Sequence, residues 1–97
     1  MTEPADEIVV RDNPELSRYE ALVDGEVAGF ALYERIEGLI AFVHTEVDPA
    51  YGGRGIGSVL VQRSLDDVRG KDLTVRPVCP FYRKFFDEHP EYADLLT

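Results

Sequence analysis

A glycine-rich turn joins an extended segment to a helical segment near the middle of the chain. Four of the six residues from position 52 to position 57 are glycines. Upstream, Leu39–Val47 is typical of a strand, and Asp48-Pro49 ends it because proline lacks the N–H that a sheet requires. Downstream, apolar side chains recur at helical spacing from about Gly55 to Arg69. This strand-to-helix passage restricts the possible folds more than any other feature.

Three extended runs precede this unit, at Ile8–Arg11, Arg18–Val23 and Glu26–Arg35. Asp24-Gly25 is a strong hairpin signal, because a type I′ turn needs positive φ at both central residues. Gly38 marks the next turn. The runs from Arg18 to Val47 are therefore expected to form an antiparallel meander.

Two more elements follow the first helix. Gly70 is predicted to end that helix as its C′ residue. Leu73–Arg76 is predicted to be a strand and Pro80–His89 a second helix, with a short helical turn at Glu91–Leu96. The order β-β-β-β-α-β-α predicts an α+β fold, with helices packed on a mainly antiparallel sheet.

Size and charge narrow the classes of function. The 97 residues suit one domain at 8–97, preceded by a frayed tail at 1–7. The net charge of −9 disfavours nucleic acid as a partner and favours a cationic partner such as an amine, although an acidic surface can serve solubility alone. No apolar run is long enough for a membrane span and the acidic start is unlike a signal peptide, so a cytoplasmic location without membrane contact is expected. The single cysteine, Cys79, fits a reducing compartment.

The glycine-rich turn has the properties of a phosphate-binding site. A helix N-terminus carries partial positive charge and unpaired N–H groups, and glycines remove the Cβ atoms that would keep a phosphate away. Arg54 adds a formal positive charge. A purely structural turn is the alternative. A dinucleotide-binding motif needs a parallel βαβ unit, and a Walker A loop needs a Gly-Lys-Ser/Thr that is absent here.

Residues 47–58, Val-Asp-Pro-Ala-Tyr-Gly-Gly-Arg-Gly-Ile-Gly-Ser, resemble the acetyl-CoA signature of the GNAT superfamily, Gln/Arg-x-x-Gly-x-Gly/Ala. Gly55 and Gly57 match its two small positions. Gly52 stands where Gln or Arg is usual, and Arg54 can partly replace that charge. Cys79-Pro80-Phe81 and the later His89-Pro90-Glu91-Tyr92 resemble the C-terminal segment of a subfamily of small GNAT proteins.

The resemblance implies a GNAT fold in which acetyl-CoA, the co-substrate, binds where two neighbouring strands splay apart. Here those strands are Leu39–Val47 and Leu73–Val78. It also implies that the first two helices of a full-length member, which usually shape the acceptor pocket, are missing. No metal is expected. The polarising amide is expected near the end of the first of these strands. The residues expected to bind CoA are Glu46, Val47, Gly52, Gly53, Arg54, Gly55, Ile56, Gly57, Ser58 and Phe81.

Acetyl transfer to an amine needs a base and a held oxyanion. His44 and Glu46 are predicted to share a strand face with Ile40 and Phe42. An imidazole titrates near physiological pH, so His44 is a candidate base or water-positioning residue, unless it only hydrogen-bonds at the strand end. Glu46 is a second candidate base, or a solvated carboxylate.

The leaving thiolate needs an acid. Cys79 precedes Pro80 at a helix start, where the helix dipole favours a thiolate, so a covalent acetyl-cysteine is one hypothesis and apolar packing the other. Phe81-Tyr82-x-Lys84 resembles a segment of larger GNAT enzymes whose Tyr protonates the thiolate. Tyr82 is therefore either that acid or a core residue. Arg83 and Lys84 are candidates to meet CoA phosphates, or solvated charges.

Three functions remain open at this point. The first is an acetyl-CoA-dependent N-acetyltransferase that acts on a small amine or a protein amine, as a monomer or weak dimer. The second is a non-catalytic CoA- or acyl-CoA-binding module, favoured by the missing helices and by Gly52. The third is an interaction domain without a ligand, for which only small size and acidity argue.

Overall fold

The computed structural model describes residues 8–97, and the expected tail at 1–7 lies outside them. The described part is an α+β fold, as the order of the sequence segments predicts. Its elements are β1 (Ile8–Asn13), β2 (Arg18–Val23), β3 (Glu26–Ile36), β4 (Leu39–Val47), α1 (Ile56–Gly70), β5 (Thr74–Pro77) and α2 (Pro80–Glu88), with short 3₁₀ helices at Pro49–Tyr51 and Pro90–Leu95. Neither α1 nor α2 has the length and apolar character needed to cross a bilayer.

One sheet carries the strands in the order β1-β2-β3-β4-β5. Neighbours from β1 to β4 are antiparallel, and β5 is parallel to β4. The β2–β3 hairpin turns at Asp24 and Gly25, whose φ angles of 52° and 82° are the positive values that a type I′ turn requires. Only residues 14–17 join β1 to β2, so the meander runs without interruption from β1 to β4.

Both helices pack on the same face of the sheet, here called the inner face. The Tyr19 hydroxyl of β2 donates to Asp67 of α1 at 2.6 Å. The Phe42 ring of β4 stacks on Tyr82 of α2, with centroids 4.1 Å apart. The hydroxyls of Tyr82 and Ser64 of α1 are 2.7 Å apart. The sheet and both helices therefore close one core between them.

The opposite face, here called the outer face, carries a buried carboxylate. Glu20 is 1% exposed and accepts hydrogen bonds from Arg11, Asn13 and Arg18 at 3.1, 3.1 and 2.8 Å. Burial raises the pKa of Glu20, but these hydrogen bonds outweigh it and lower the pKa overall. The Arg18 guanidinium also lies 4.5 Å from the centre of the Phe30 ring. Within residues 8–97 no helix packs on this face. The charged side chains around Glu20 cover part of it instead.

The end of α1 differs from the prediction. Gly70 is the last helical residue, and the left-handed backbone falls instead at Asp72, whose φ is 59°. The N–H of Lys71 donates to the Val68 carbonyl at 3.0 Å, and the N–H of Asp72 to the Arg69 carbonyl at 3.2 Å. Aspartate tolerates this conformation because its short polar side chain can hydrogen-bond locally. The predicted C′ role of Gly70 is therefore wrong.

Candidate functional site

β4 and β5 pair only over their first four residues, from Leu39–Thr74 to Phe42–Pro77. The N–H groups of Val78 and Cys79 both donate to the Phe42 carbonyl, at 3.0 and 2.9 Å. The chain then turns into α2, because Pro77 and Pro80 cannot extend a ladder. Beyond Phe42 the edge of β4 has lost its neighbour strand and presents backbone groups that a ligand can pair with. The expected splay is present, and it begins after Phe42.

A β-bulge in β4 lies at the start of the splay. Leu32 of β3 pairs with His44, whereas Tyr33 pairs with Phe42, so Val43 is an extra residue on β4. A bulge of this kind shifts the alternation of side chains between the two faces of a sheet. The faces predicted from strict alternation therefore do not hold beyond this point.

The bulge brings Thr45 to the inner face and sends His44 and Glu46 to the outer face. Thr45 contacts Cys79, whereas His44 and Glu46 are exposed by 52% and 61% of their side chains. Phe42, which precedes the bulge, faces the helices. The prediction that His44 and Glu46 share the face of Phe42 is wrong for this reason.

Cys79 lies at the splay on the inner face. It is the N-cap of α2, with Pro80 in the first turn as predicted, and it is 5% exposed. Its Sγ donates to Thr45 Oγ1 at 3.4 Å. Cys79 is also part of the apolar core, so it packs in the core and at the same time borders the gap between β4 and β5. Sequence reasoning missed Thr45, because the bulge that turns it inward has no marker such as Gly or Pro.

The glycine-rich turn leads into α1, which packs on the inner face. Gly53 and Gly55 have φ angles of 83° and 74°, and a Cβ atom on either would meet nothing within 4 Å. Gly55 is the N-cap of α1 and makes no side-chain capping hydrogen bond, so the first N–H groups of the helix lack intrahelical acceptors. Gly52 has an ordinary φ of −60° and donates to the Pro49 carbonyl at 3.0 Å. Open, unpaired N–H groups are what a diphosphate requires.

Gly57 also has a packing role, which the sequence does not indicate. A Cβ atom here would overlap the Phe81 ring of α2, so the missing side chain lets the two helices approach. Phe81 is 41% exposed and lies beside the glycine-rich turn, where contact with CoA was expected. Gly53 and Gly55 thus leave space for a phosphate, whereas Gly57 allows α1 and α2 to pack closely.

A groove of about 400 Å³ runs from the first turn of α1 along α2. Ser58 forms its α1 side. The α2 side consists of residues at helical spacing, which are Pro80, Phe81, Lys84, Phe85 and Glu88. Lys84 and Glu88 are the charged residues among those that line the groove.

Three further residues of the predicted CoA site contact other side chains or the core. Ile56 is 1% exposed in the core, so only its backbone faces the turn. Val47 is half-buried and packs against the core. The Arg54 guanidinium lies 5.5 Å from the centre of the Tyr51 ring, at the rim of the turn.

Tyr82 is a core residue in this structure. It is fully buried between Phe42 and Ser64, and desolvation raises the pKa of its hydroxyl well above the ordinary value. The neighbouring Arg83 donates to the carbonyls of Pro77 and Val78, at 3.3 and 2.8 Å, and so fixes the end of β5. The Tyr82 hydroxyl is thus paired with Ser64, and the Arg83 guanidinium with backbone carbonyls.

His44 and Glu46 form a pair on the outer side of the splayed edge. His44 Nε2 lies 2.8 Å from Glu46 Oε2. Both belong to the part of β4 that has lost β5, so they flank the same open edge that Thr45 flanks from within. His44 and Glu46 on the outer face and Thr45 on the inner face therefore border the same unpaired segment of β4.

These features define the class of protein: a five-stranded α+β sheet with helices on it, a splayed parallel strand pair and a glycine-rich turn at a helix N-terminus, as in GNAT-like folds. The profile of the GCN5-related N-acetyl-transferase family matches residues 18–95. The chain belongs to this family.

Curated relatives carry the name Protein NATD1. The Bos taurus protein is 40% identical over 68 residues, and the Homo sapiens protein is 38% identical over 68 residues. Each alignment covers 67% of this chain and 60% of the relative. The chain thus spans about three fifths of the length of these relatives.

Two solved structures share the fold. A GCN5-like protein from Staphylococcus aureus superposes with a TM-score of 0.69 at 18% identity, over 98% of this chain and 91% of that one. The ribosomal-protein-S18-alanine N-acetyltransferase from Escherichia coli superposes with a TM-score of 0.56 at 20% identity, over 60% of this chain and 38% of that one. At such identities the likeness establishes the fold alone.

Proposed function

We propose that residues 8–97 form an acetyl-CoA-dependent N-acetyltransferase domain. One observation carries this: the Cys79 thiol contacts Thr45 on the unpaired segment of β4, on the face of the sheet where α1 packs with an uncapped start. A single extended ligand with a diphosphate and a thioester can contact all three. The groove beside Phe81 and Lys84 continues this path.

In this proposal the CoA diphosphate accepts hydrogen bonds from the N–H groups of residues 53–58. The helix N-terminus and Arg54 offset its negative charge. The pantetheine arm pairs with the open edge of β4, and so takes the place that β5 holds beside the first half of that strand. The thioester then lies beside Thr45 and Cys79, where a β4 N–H polarises its carbonyl oxygen.

The amine approaches from the outer face in this scheme. His44 and Glu46 are the ionisable pair on that side of the open edge, and they are proposed to take the proton that the ammonium must lose before it attacks. The exposed carboxylate of Glu46 also favours a cationic acceptor. Cys79 is proposed as the proton donor to the CoA thiolate, because the Tyr82 hydroxyl is directed into the core at Ser64.

A non-catalytic CoA-binding module is the second candidate. The burial of Tyr82 favours it, because the acid suggested by the resemblance to larger GNAT enzymes is withdrawn from the splay. Both candidates share the CoA site and differ only in turnover.

The test combines calorimetry with a thiol-release assay. Acetyl-CoA is titrated into the protein, and free CoA thiol is then followed with small primary amines and a lysine-rich peptide as acceptors. Binding with amine-dependent thiol release supports the transferase. Binding without release for any acceptor supports the module, and no binding at millimolar acetyl-CoA removes both.

A further inference from the structure

Gly29 is a buried glycine of β3 that lies against two separate parts of the proposed CoA site. A Cβ atom at this position would meet the Glu46 carbonyl oxygen at 3.0 Å, and Val47 Cα and Ile56 Cγ2 at 3.4 Å each. Gly29 is not among the residues with positive φ, so a side chain would not strain its backbone. The closeness of these neighbours is therefore what favours glycine here.

The first neighbour of Gly29 is the segment of β4 that has lost β5. The N–H of Asp48 donates to the Ala28 carbonyl of β3 at 2.8 Å. Successive residues of an antiparallel ladder point alternately to its two sides. The N–H and C=O groups of Thr45 and Val47 therefore point away from β3, into the gap left by β5. Gly29 pairs with Val47 and so lies directly behind this open edge.

The second neighbour of Gly29 is the start of α1. Ile56 is the first residue of that helix, and it is 1% exposed because its side chain packs into the core. Since Gly29 has no side chain, Ile56 can lie close to the backbone of β3. The uncapped first turn of α1 is thereby held beside the end of β4.

We propose that Gly29 is a positioning residue, whose missing side chain sets the separation between the open edge at Val47 and the first turn of α1, so that one CoA molecule engages both. This inference rests on the proposed function, because CoA is the ligand that spans the two segments. An N–H···O hydrogen bond forms over a range of only about 0.5 Å in donor–acceptor distance. A change in the separation therefore weakens one of the two sets of bonds.

A larger side chain at position 29 should move the two segments apart. Valine suits the backbone of a strand, so a valine here tests space and not backbone strain. Its methyl groups would have to displace the end of β4, the start of α1 or both, because Glu46, Val47 and Ile56 already lie in contact range. The N–H groups of the α1 start belong to one turn and move together. The diphosphate contacts should therefore survive, and the contacts along β4 should not.

The experiment titrates CoA into isotopically labelled wild type, Gly29→Val and Gly29→Ala, and follows the backbone amide NMR shifts. In wild type we expect shifts at residues 53–58 and also at Thr45 and Val47. In Gly29→Val the shifts at residues 53–58 should persist, and those at Thr45 and Val47 should largely vanish. CoA affinity should fall by about tenfold, the value of one or two backbone hydrogen bonds. Gly29→Ala should show a smaller effect in the same direction, and it is the test if the valine variant does not fold.

Two further variants separate this spacing from a general loss of stability. Ala21→Val places a valine in the same core, across the β2–β3 ladder from Gly29 and one strand further from β4. It should leave both sets of shifts unchanged. Gly29→Val/Ile56→Ala removes the volume that the valine adds, so the shifts at Thr45 and Val47 should return. The CoA affinity of this double variant should lie within about threefold of wild type, because the swap conserves volume.

An unchanged affinity and shift pattern in the folded Gly29 variant would overturn the proposal, as would the loss of both sets of shifts. If CoA shifts residues 53–58 alone in wild type, the positioning role fails and CoA binding stands. If wild type does not bind CoA, the proposed function itself fails.

Discussion

The Cys79 thiol lies 3.4 Å from the Thr45 hydroxyl, across the gap that opens where β5 leaves β4. The contact exists because two local irregularities meet. The bulge at Val43 turns Thr45 inward, and Pro80 starts α2 directly after Cys79. The two side chains mark the inner wall of the splay, where the thioester is proposed to lie.

Replacing Cys79 by Ala should separate turnover from binding. We expect acetyl-CoA affinity to stay within about threefold of wild type, because the diphosphate contacts at the start of α1 supply most of the binding. The rate of thiol release with an amine should fall by about 100- to 10,000-fold, the usual contribution of an acid–base group. Calorimetry and steady-state kinetics measure the two quantities. An unchanged rate would show that Cys79 only packs in the core.

Replacing Gly55 by Val should abolish CoA binding, with a loss of at least about 100-fold. The branched side chain is strained at φ 74° and fills the space that the phosphate needs. Gly25→Val is the matched control, since Gly25 also has positive φ and open surroundings but lies in the β2–β3 hairpin. Both variants should lose about 1–3 kcal/mol of unfolding free energy. Only Gly55→Val should lose CoA, and an equal loss in Gly25→Val would indicate general unfolding.

Replacing Gly57 by Ala should change stability by less than about 1 kcal/mol, because the higher helix propensity of Ala offsets the cost of displacing the half-exposed Phe81 ring, which the new methyl group overlaps. Phe81→Ala removes that ring. In the double variant Gly57→Ala/Phe81→Ala the cost of the methyl group should therefore largely disappear. A double-mutant cycle from urea denaturation measures this coupling. Additive effects would show that Gly57 and Phe81 do not pack on each other.

Replacing Glu20 by Gln should destabilise the protein by about 1–3 kcal/mol near neutral pH, because a buried charge-assisted network is lost. The folded-state pKa of Glu20 lies below its ordinary value of 4.5. Its contribution is therefore fully present above pH 4.5 and is lost as the pH falls through the lowered pKa.

The gap between wild type and Glu20→Gln should consequently narrow as the pH drops below 4.5. Unfolding free energies at several acidic pH values measure this gap. A gap that widens toward acid would mean that Glu20 is stabilised in its protonated form, contrary to the hydrogen bonds from Arg11, Asn13 and Arg18.

The fold was predictable where local chemistry decides it. Asp24-Gly25 forms the I′ hairpin, Pro49 lies just beyond the end of β4, and Pro80 begins α2, because each residue type restricts its own backbone. The end of α1 was not predictable, because Asp72 adopts the left-handed backbone that glycine usually takes.

The site was predictable to the level of segments but not of faces. The splay between β4 and β5 is where the resemblance implies it, and Cys79 contacts Thr45 beside it. The bulge at Val43 reversed the faces expected for His44 and Glu46, and a bulge depends on how two strands pair. The direction of the Tyr82 hydroxyl likewise depends on a partner distant in sequence, Ser64 of α1, and no local sequence pattern shows this contact.

The most direct measurement is a titration of the isotopically labelled protein with acetyl-CoA, followed by backbone amide NMR shifts. We predict saturable shifts that centre on Gly53–Ser58 and extend to Thr45 and Cys79, with the β2–β3 hairpin unaffected. Shifts that saturate elsewhere and leave the amides of residues 53–58 unchanged would contradict the account.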